Sequence, residues 1–252
     1  MCLPQAIGFD LFNTLISIDP VAMEQAHSSL ILTLLEQEIP VEPVSFRQAY
    51  AEAAKGYILD ARRDGRETHN RFWIAEALKS LGHPMSPDSP QVSAAVEAYF
   101  SAFYPNCQLI PGTDEMLTIL SGRYPLGLLT NFTHPPAALK IIDMVGLSAF
   151  FRTVLISGEI GYRKPHPYVF NRLTDDLGVR SDEIVFVGDD PESDVQGALN
   201  CGIRAVLTTC VQDQNIRSAY TMLSPPGFEC PSDVPRISCW QDLLTLLEAP
   251  LG

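Results

Sequence analysis

Short unbroken apolar runs and longer apolar stripes alternate along this chain, and the two textures occupy different regions. Ile7-Gly8-Phe9 runs straight into Asp10 and a turn at Asn13-Thr14, which predicts a short buried strand whose carboxyl end opens into a loop. From about Pro20 to about Pro105 apolar residues recur at intervals of three and four, over 21–38, 44–63, 71–81 and 92–103. That spacing predicts an all-helical block, punctuated by Pro40, Pro43, Gly65, Gly82 and Pro87. After Pro111-Gly112 the textures interleave: helices are predicted over 113–121, 136–145, 166–177 and 194–201, and strands over 126–129, 154–156, 184–187 and 205–207. The proline-rich stretch from Ser224 to Pro235 reads as an irregular loop, followed by a short strand near Ile237 and a helix over 241–247.

Helices of about ten residues set between short apolar strands are the pattern of a parallel sheet covered on both faces. The expected fold is therefore α/β, a doubly wound parallel sheet with a Rossmann-like core, and the helical block is an insertion after the first strand. Residues 1–18 and 109–252 would form the core and residues 19–108 an all-helical cap. In such sheets functional residues collect beyond the carboxyl ends of the strands. Asp10, Thr130-Asn131 and Gly188-Asp189-Asp190 each directly follow a predicted strand, and Lys164 lies a few residues past another. One sheet edge would bring these distant positions into a single pocket.

Composition narrows the partners. Thirty acidic against seventeen basic side chains, a net charge of −13, would repel a phosphate backbone, so nucleic acid is not expected as a partner. A small anionic substrate is still compatible, because surface fields are screened over roughly 8 to 10 Å. No apolar stretch approaches the roughly 20 residues that cross a bilayer, so no membrane span is expected. The six cysteines are scattered without a CxxC pair and the amino terminus lacks a secretory layout, which predicts reduced thiols in a cytoplasmic protein.

Four segments together, DLFNTL at 10–15, LTNFT at 129–133, GYRKPHP at 161–167 and VGDDPESD at 187–194, resemble in order and spacing the motifs of the haloacid dehalogenase-like hydrolase superfamily. The resemblance spans nearly the whole chain and includes the inserted helical block, which is similar to that family's mobile cap. It implies that Asp10 is a nucleophile, that Thr130 or Asn131 holds the oxygens of the transferred group, and that Lys164 gathers anionic oxygens of substrate and nucleophile. It also implies a Mg²⁺ site built from Asp10, the backbone carbonyl of Phe12, Asp189 and Asp194. Each role agrees with the chemistry of its side chain: a carboxylate at a strand tip can form a covalent intermediate, an ammonium offsets like charges, and carboxylates are hard oxygen ligands. Taken singly, the same residues could cap a turn, bond local backbone or decorate a helix N-terminus.

Position 12 departs from the family's phosphatases, which usually have there a second aspartate that protonates the leaving group. A phenyl ring transfers no proton, and such assistance typically contributes about 10²- to 10⁴-fold in rate. Metal-independent haloacid dehalogenases of the family have an aromatic residue at this point, but their fourth motif replaces the first acid with small uncharged residues, whereas this chain keeps Asp189 and Asp190. The expected function is Mg²⁺-dependent hydrolysis of a small phosphate ester or acyl phosphate. A 2-haloacid dehalogenase and a catalytically weak ligand-binding module remain the alternatives. In the cap, Arg47 resembles in rough location an arginine that haloacid dehalogenases use to bind substrate, although a surface cation paired with Glu52 or another acid is the more ordinary reading of such a residue.

Overall fold

A strand that is buried on both faces must be apolar at every position, and β1 (Ala6–Phe9) meets that requirement with four fully buried residues. The computed structural model describes residues 3–219 and 229–248 of the chain. After β1 come β2 (Ile16–Ile18) and four helices, α1 (Val21–Glu36), α2 (Pro43–Asp64), α3 (Asn70–Ser80) and α4 (Pro90–Ser101). Next are β3 (Cys107–Leu109), α5 (Thr113–Ser121), β4 (Leu126–Thr130), α6 (Pro135–Met144), β5 (Thr153–Ile156) and α7 (Ser157–Ile160). The chain continues with α8 (Pro167–Leu177), β6 (Ile184–Gly188), a wide helical turn Pro191–Gln196, and α9 (Gly197–Asn200). It closes with β7 (Arg204–Thr208), α10 (Cys210–Asp213), β8 (Arg236–Ile237) and α11 (Trp240–Glu248).

Six strands form a parallel sheet in the order β5-β4-β1-β6-β7-β8. The chain steps outward from β1 to β4 and β5, then crosses back to β6 on the other side, so strand order reverses at β1 and β6. Alternation sorts the side chains between two layers. Ile7, Phe9, Val185 and Val187 join one apolar cluster with Leu117 and Leu243 from α5 and α11. Ala6, Ile184 and Phe186 join the other with Phe170 and Leu173 of α8.

The predicted helices of the insertion are all present, and α1 packs on α4, α2 on α3, and α3 on α4. In α1 the fully buried Ala22, Ala26, Leu30 and Leu34 recur at intervals of four, the spacing that makes a single helix face. Glu42 caps α2 by accepting from the backbone N–H of Val44 and Ser45, and Gly65 ends it in a left-handed conformation, φ 71°. Tyr50, Trp73 and Tyr99 meet inside the bundle with ring centroids about 6 Å apart, so these aromatics are bundle core.

Sequence periodicity does not show β2 and β3, the two short antiparallel strands that bind the two chain crossings between sheet and bundle to each other. Of the predicted irregular stretch 224–235, residues 224–228 lie outside the described residues, and 229–235 contain no helix or strand. Among the described residues no helix is long and apolar enough to cross a membrane, and Cys107, Cys201, Cys210, Cys230 and Cys239 are free thiols.

Candidate active site

Strand register assembles the site. Phe9 pairs with Leu128 on one side and Val187 on the other, so Asp10, Thr130 and Asp189 leave the sheet at the same edge. The backbone N–H of Asp10 donates to Val187 O at 2.9 Å, which fixes the first residue past β1 against β6. At the end of β6 only glycine fits: a Cβ on Gly188 would overlap the carboxyl of Asp194, which folds back from the turn after the strand. Asp194 Oδ2 accepts from the backbone N–H of Asp190 at 3.0 Å. Asp190 itself caps the following turn, with Oδ1 accepting from the N–H groups of Glu192 and Ser193.

Lys164 reaches the same point from the loop after α7. Its side chain is only 2% exposed, and Nζ lies 2.5 Å from Asp10 Oδ1 and 2.6 Å from Asp194 Oδ1. Asn131 fixes the lysine by its main chain: Oδ1 accepts from Lys164 N at 2.8 Å and Nδ2 donates to Lys164 O at 3.0 Å. Burial alone would push the ammonium pKa down, but the carboxylates of Asp10 and Asp194 outweigh it and hold the group above the usual lysine range.

One ammonium does not balance the acids around it. Burial pushes Asp194 up to about 7, against the pull of Lys164 and with Asp10 and Asp190 adding to the rise. Asp189 is held well above the usual carboxylate range by burial and by the charges of Asp10, Asp194 and Asp190, and the Asn13 side chain opposes this only in part. Asp10, Asp189 and Asp194 each present an oxygen within 4.8 Å of the others. Three oxygen donors with surplus negative charge in a buried pocket are a donor set that fits a hard divalent cation.

An aromatic and polar seam joins this pocket to the helical bundle. Phe12 stacks on Phe132 with centroids 5.2 Å apart, and Phe132 meets Phe100 of α4 and Phe103 just beyond it. His134 stacks on Phe100, bonds Glu97 through Nε2 at 2.8 Å and meets His69 Nε2 through Nδ1 at 3.1 Å. His69 Nδ1 accepts from the backbone N–H of Arg71, so its proton sits on Nε2 and points at His134. Both nitrogens of both rings are thus engaged, which removes His134 as a ready proton donor in place of the missing acid at position 12. His166 is a helix cap, with Nδ1 accepting from Tyr168 N at 3.2 Å.

Of the sequence candidates, Asp10, Lys164, Asp189 and Asp194 come together, Asn131 clasps the lysine loop, and Thr130 is buried at the tip of β4. Arg47 does not join them; its guanidinium pairs with Glu24 and Ser28 of α1, at 2.8 and 3.1 Å. Glu67, Ser157, His69 and Glu97, which carry contacts between bundle and sheet, are not marked by any sequence pattern. They belong to no motif, and only the helix-ending Gly65 marks the loop that holds Glu67 and His69.

The sequence matches the haloacid dehalogenase-like hydrolase family over residues 4–202, and the chain belongs to that family; it is a hydrolase. A glyceraldehyde 3-phosphate phosphatase from Pyrococcus abyssi (strain GE5 / Orsay) is 30% identical over 203 residues, 80% of this chain and 80% of its own length. A ribulose-1,5-bisphosphate 5-phosphatase from Halopiger xanaduensis (strain DSM 18323 / JCM 14033 / SH-6) is 29% identical over 206 residues, 80% of this chain and 83% of its own. The crystal structure of a 2-haloacid dehalogenase from Pseudomonas syringae pv. Tomato DC3000 superposes with a TM-score of 0.68 over 98% of this chain and 99% of its own. Its sequence identity is 22%, and the likeness speaks for the fold alone.

Proposed function

We propose that the protein is a Mg²⁺-dependent phosphatase acting on a small phosphate ester or acyl phosphate. The observation that carries this reading is the cluster of the buried Asp10 and Asp194 with the half-buried Asp189, whose negative charge Lys164 alone does not neutralise. Two relatives named as phosphatases at about 30% identity support the choice of phosphorus over carbon.

In this reading an Asp10 oxygen bonds to phosphorus as the leaving oxygen departs with its electron pair; water then cleaves the aspartyl phosphate and restores the carboxylate. Lys164 offsets the charge of phosphoryl oxygens as they approach Asp10, and its two carboxylate partners hold it as a cation. Thr130 offers its hydroxyl to the same oxygens, and Asn131 acts through the lysine backbone it holds. A Mg²⁺ ion held by Asp10, the Phe12 carbonyl, Asp189 and Asp194 would supply the positive charge that the nucleophile and the phosphoryl group need to meet. Residues 19–108 serve as a cap over the core of 1–18 and 109–252, and shut water out of the pocket. The free thiols agree with action in the cytoplasm.

Phe12 favours a second reading, metal-independent 2-haloacid dehalogenation, because a halide leaves without a proton. Phosphate and halide release from p-nitrophenyl phosphate, acetyl phosphate and 2-chloropropionate, with Mg²⁺ and with EDTA, separates the two. Phosphate release that EDTA abolishes and that Asp10→Asn lowers by at least about 10³-fold is expected. Chelator-resistant halide release would transfer the protein to the second reading, and full turnover by Asp10→Asn would end both.

A further inference from the structure

Between α2 and α3 the bundle lowers one short loop, residues 65–69, onto the loops that carry the catalytic candidates. Gly65 permits the descent: it has φ 71°, and a Cβ there would collide with the His166 ring. Its carbonyl accepts from Arg163 N at 3.0 Å, Arg66 forms a β-bridge with Tyr162, and Glu67 N donates to Gly161 O at 3.0 Å. The side chain of Glu67, only 2% exposed, then enters the core. One of its oxygens accepts from the Ser157 hydroxyl at 2.5 Å, and the other from the Arg163 guanidinium at 3.3 Å and from Thr68 N at 2.8 Å.

Those partners lead to the two catalytic loops. Ser157 Oγ accepts from Phe132 N at 2.8 Å, two residues past Thr130. Arg163 immediately precedes Lys164, whose main chain is clasped by Asn131. A carboxylate withdrawn from water is retained only where donors surround it, and this one takes one donor from Arg163 beside Lys164 and another from Ser157, the hydroxyl that in turn holds Phe132 N.

We infer that Glu67 is a positioning residue for the hydrolytic reaction, one that ties the seating of the helical bundle to the placement of Lys164 and of the Thr130–Phe132 loop. Rotamer and loop freedom at Lys164 are limited by a residue of the bundle, so the ammonium reaches its working position only when the 65–69 loop is down. This rests on the role given above to Lys164.

The test uses the full chain with Mg²⁺ and p-nitrophenyl phosphate, at a temperature where circular dichroism shows every variant folded. Glu67→Gln, nearly the same shape without the charge, is expected to lower kcat by about 10- to 100-fold with KM changed less than about threefold, as a misplaced reacting group does. Glu67→Asp, which keeps the charge, should restore part of the loss. Ser157→Ala gives a second reading of the same link if Glu67→Gln is too unstable to assay, with a kcat loss again larger than any change in KM. Lys164→Met serves as the reference and should abolish turnover. Loss in Lys164→Met with kcat within twofold of wild type in Glu67→Gln, or in Ser157→Ala where that variant replaces it, would overturn the coupling while leaving the phosphatase reading intact. Full turnover in Lys164→Met would remove that reading and this inference with it.

Discussion

Phe12 sets the chemical character of the site more than any other single residue. Its ring is buried against Phe132, and the neighbouring histidines are committed to each other, Glu97 and Arg71. Under the phosphatase reading proposed above, the leaving oxygen would depart without a proton from this position, so turnover should fall steeply as leaving-group pKa rises. Across aryl and alkyl phosphates, log kcat plotted against leaving-group pKa is expected to be steep for the wild type and flatter for Phe12→Asp, which should gain about 10²-fold on alkyl esters. Equal slopes in the two proteins would show that proton supply at position 12 does not limit the rate. Asp10, Lys164, Asp189 and Asp194 were legible in the sequence because each stands in a short motif that follows an apolar strand, directly for Asp10 and Asp189 and after a few residues for the other two. Glu67, His69, Glu97 and Ser157 were not, because they meet only when segments up to 90 residues apart pack together, and no local pattern encodes such a meeting.

At the scale of elements, the helices and central strands were legible because their apolar positions recur over many residues. Strands β2 and β3 were not, since three residues give too little periodicity to separate from a loop. The sheet depends on two glycines that no pattern argument would have ranked. A Cβ on Gly8 would lie 2.8 Å from Leu173 Cδ2 and one on Gly127 2.6 Å from Leu173 Cδ1, so α8 seats its leucine against bare backbone on two adjacent strands. Gly127→Ala should cost about 1 to 3 kcal/mol by overpacking, read as a lower urea midpoint with an unchanged m-value. Leu173 is fully buried, and Leu177 Cδ1 and Thr153 Cγ2 would lie 3.1 and 3.3 Å from the same Cβ, so three side chains would have to give together. A midpoint equal to wild type would mean that α8 shifts freely, which its contacts with β4 and β5 argue against.

For the whole molecule, the seam between sheet and bundle makes stability depend on acidity. Burial, with His134 and Arg71 adding, lowers His69 to about 4, and burial lowers His134 against the pull of Glu97. Unfolded imidazoles titrate near 6.5, so below that value the unfolded chain takes up protons first. The neutral seam therefore contributes fully above about pH 6.5, and its contribution is lost as pH falls toward about 4. Asp194, raised to about 7 in the fold, acts in the opposite direction and favours the folded state on acidification. His69→Gln isolates the histidine part: its drop in urea midpoint from pH 7.5 to pH 5 should be smaller than the wild-type drop. Identical drops would exclude a titrating seam.

The ladder between β2 and β3 has a mechanical consequence. Both tethers of the inserted bundle are laced into one ribbon, and Ala219 adds a further bond to it at Ile18. Two separate strings would let the bundle drift in any direction, whereas a laced ribbon behaves like a door hung on a single pin. If the bundle moves as the proposed cap, each swing would trace the same arc and return the 65–69 loop to the same latch plate, so repeated cycles of entry and release would need no search for alignment.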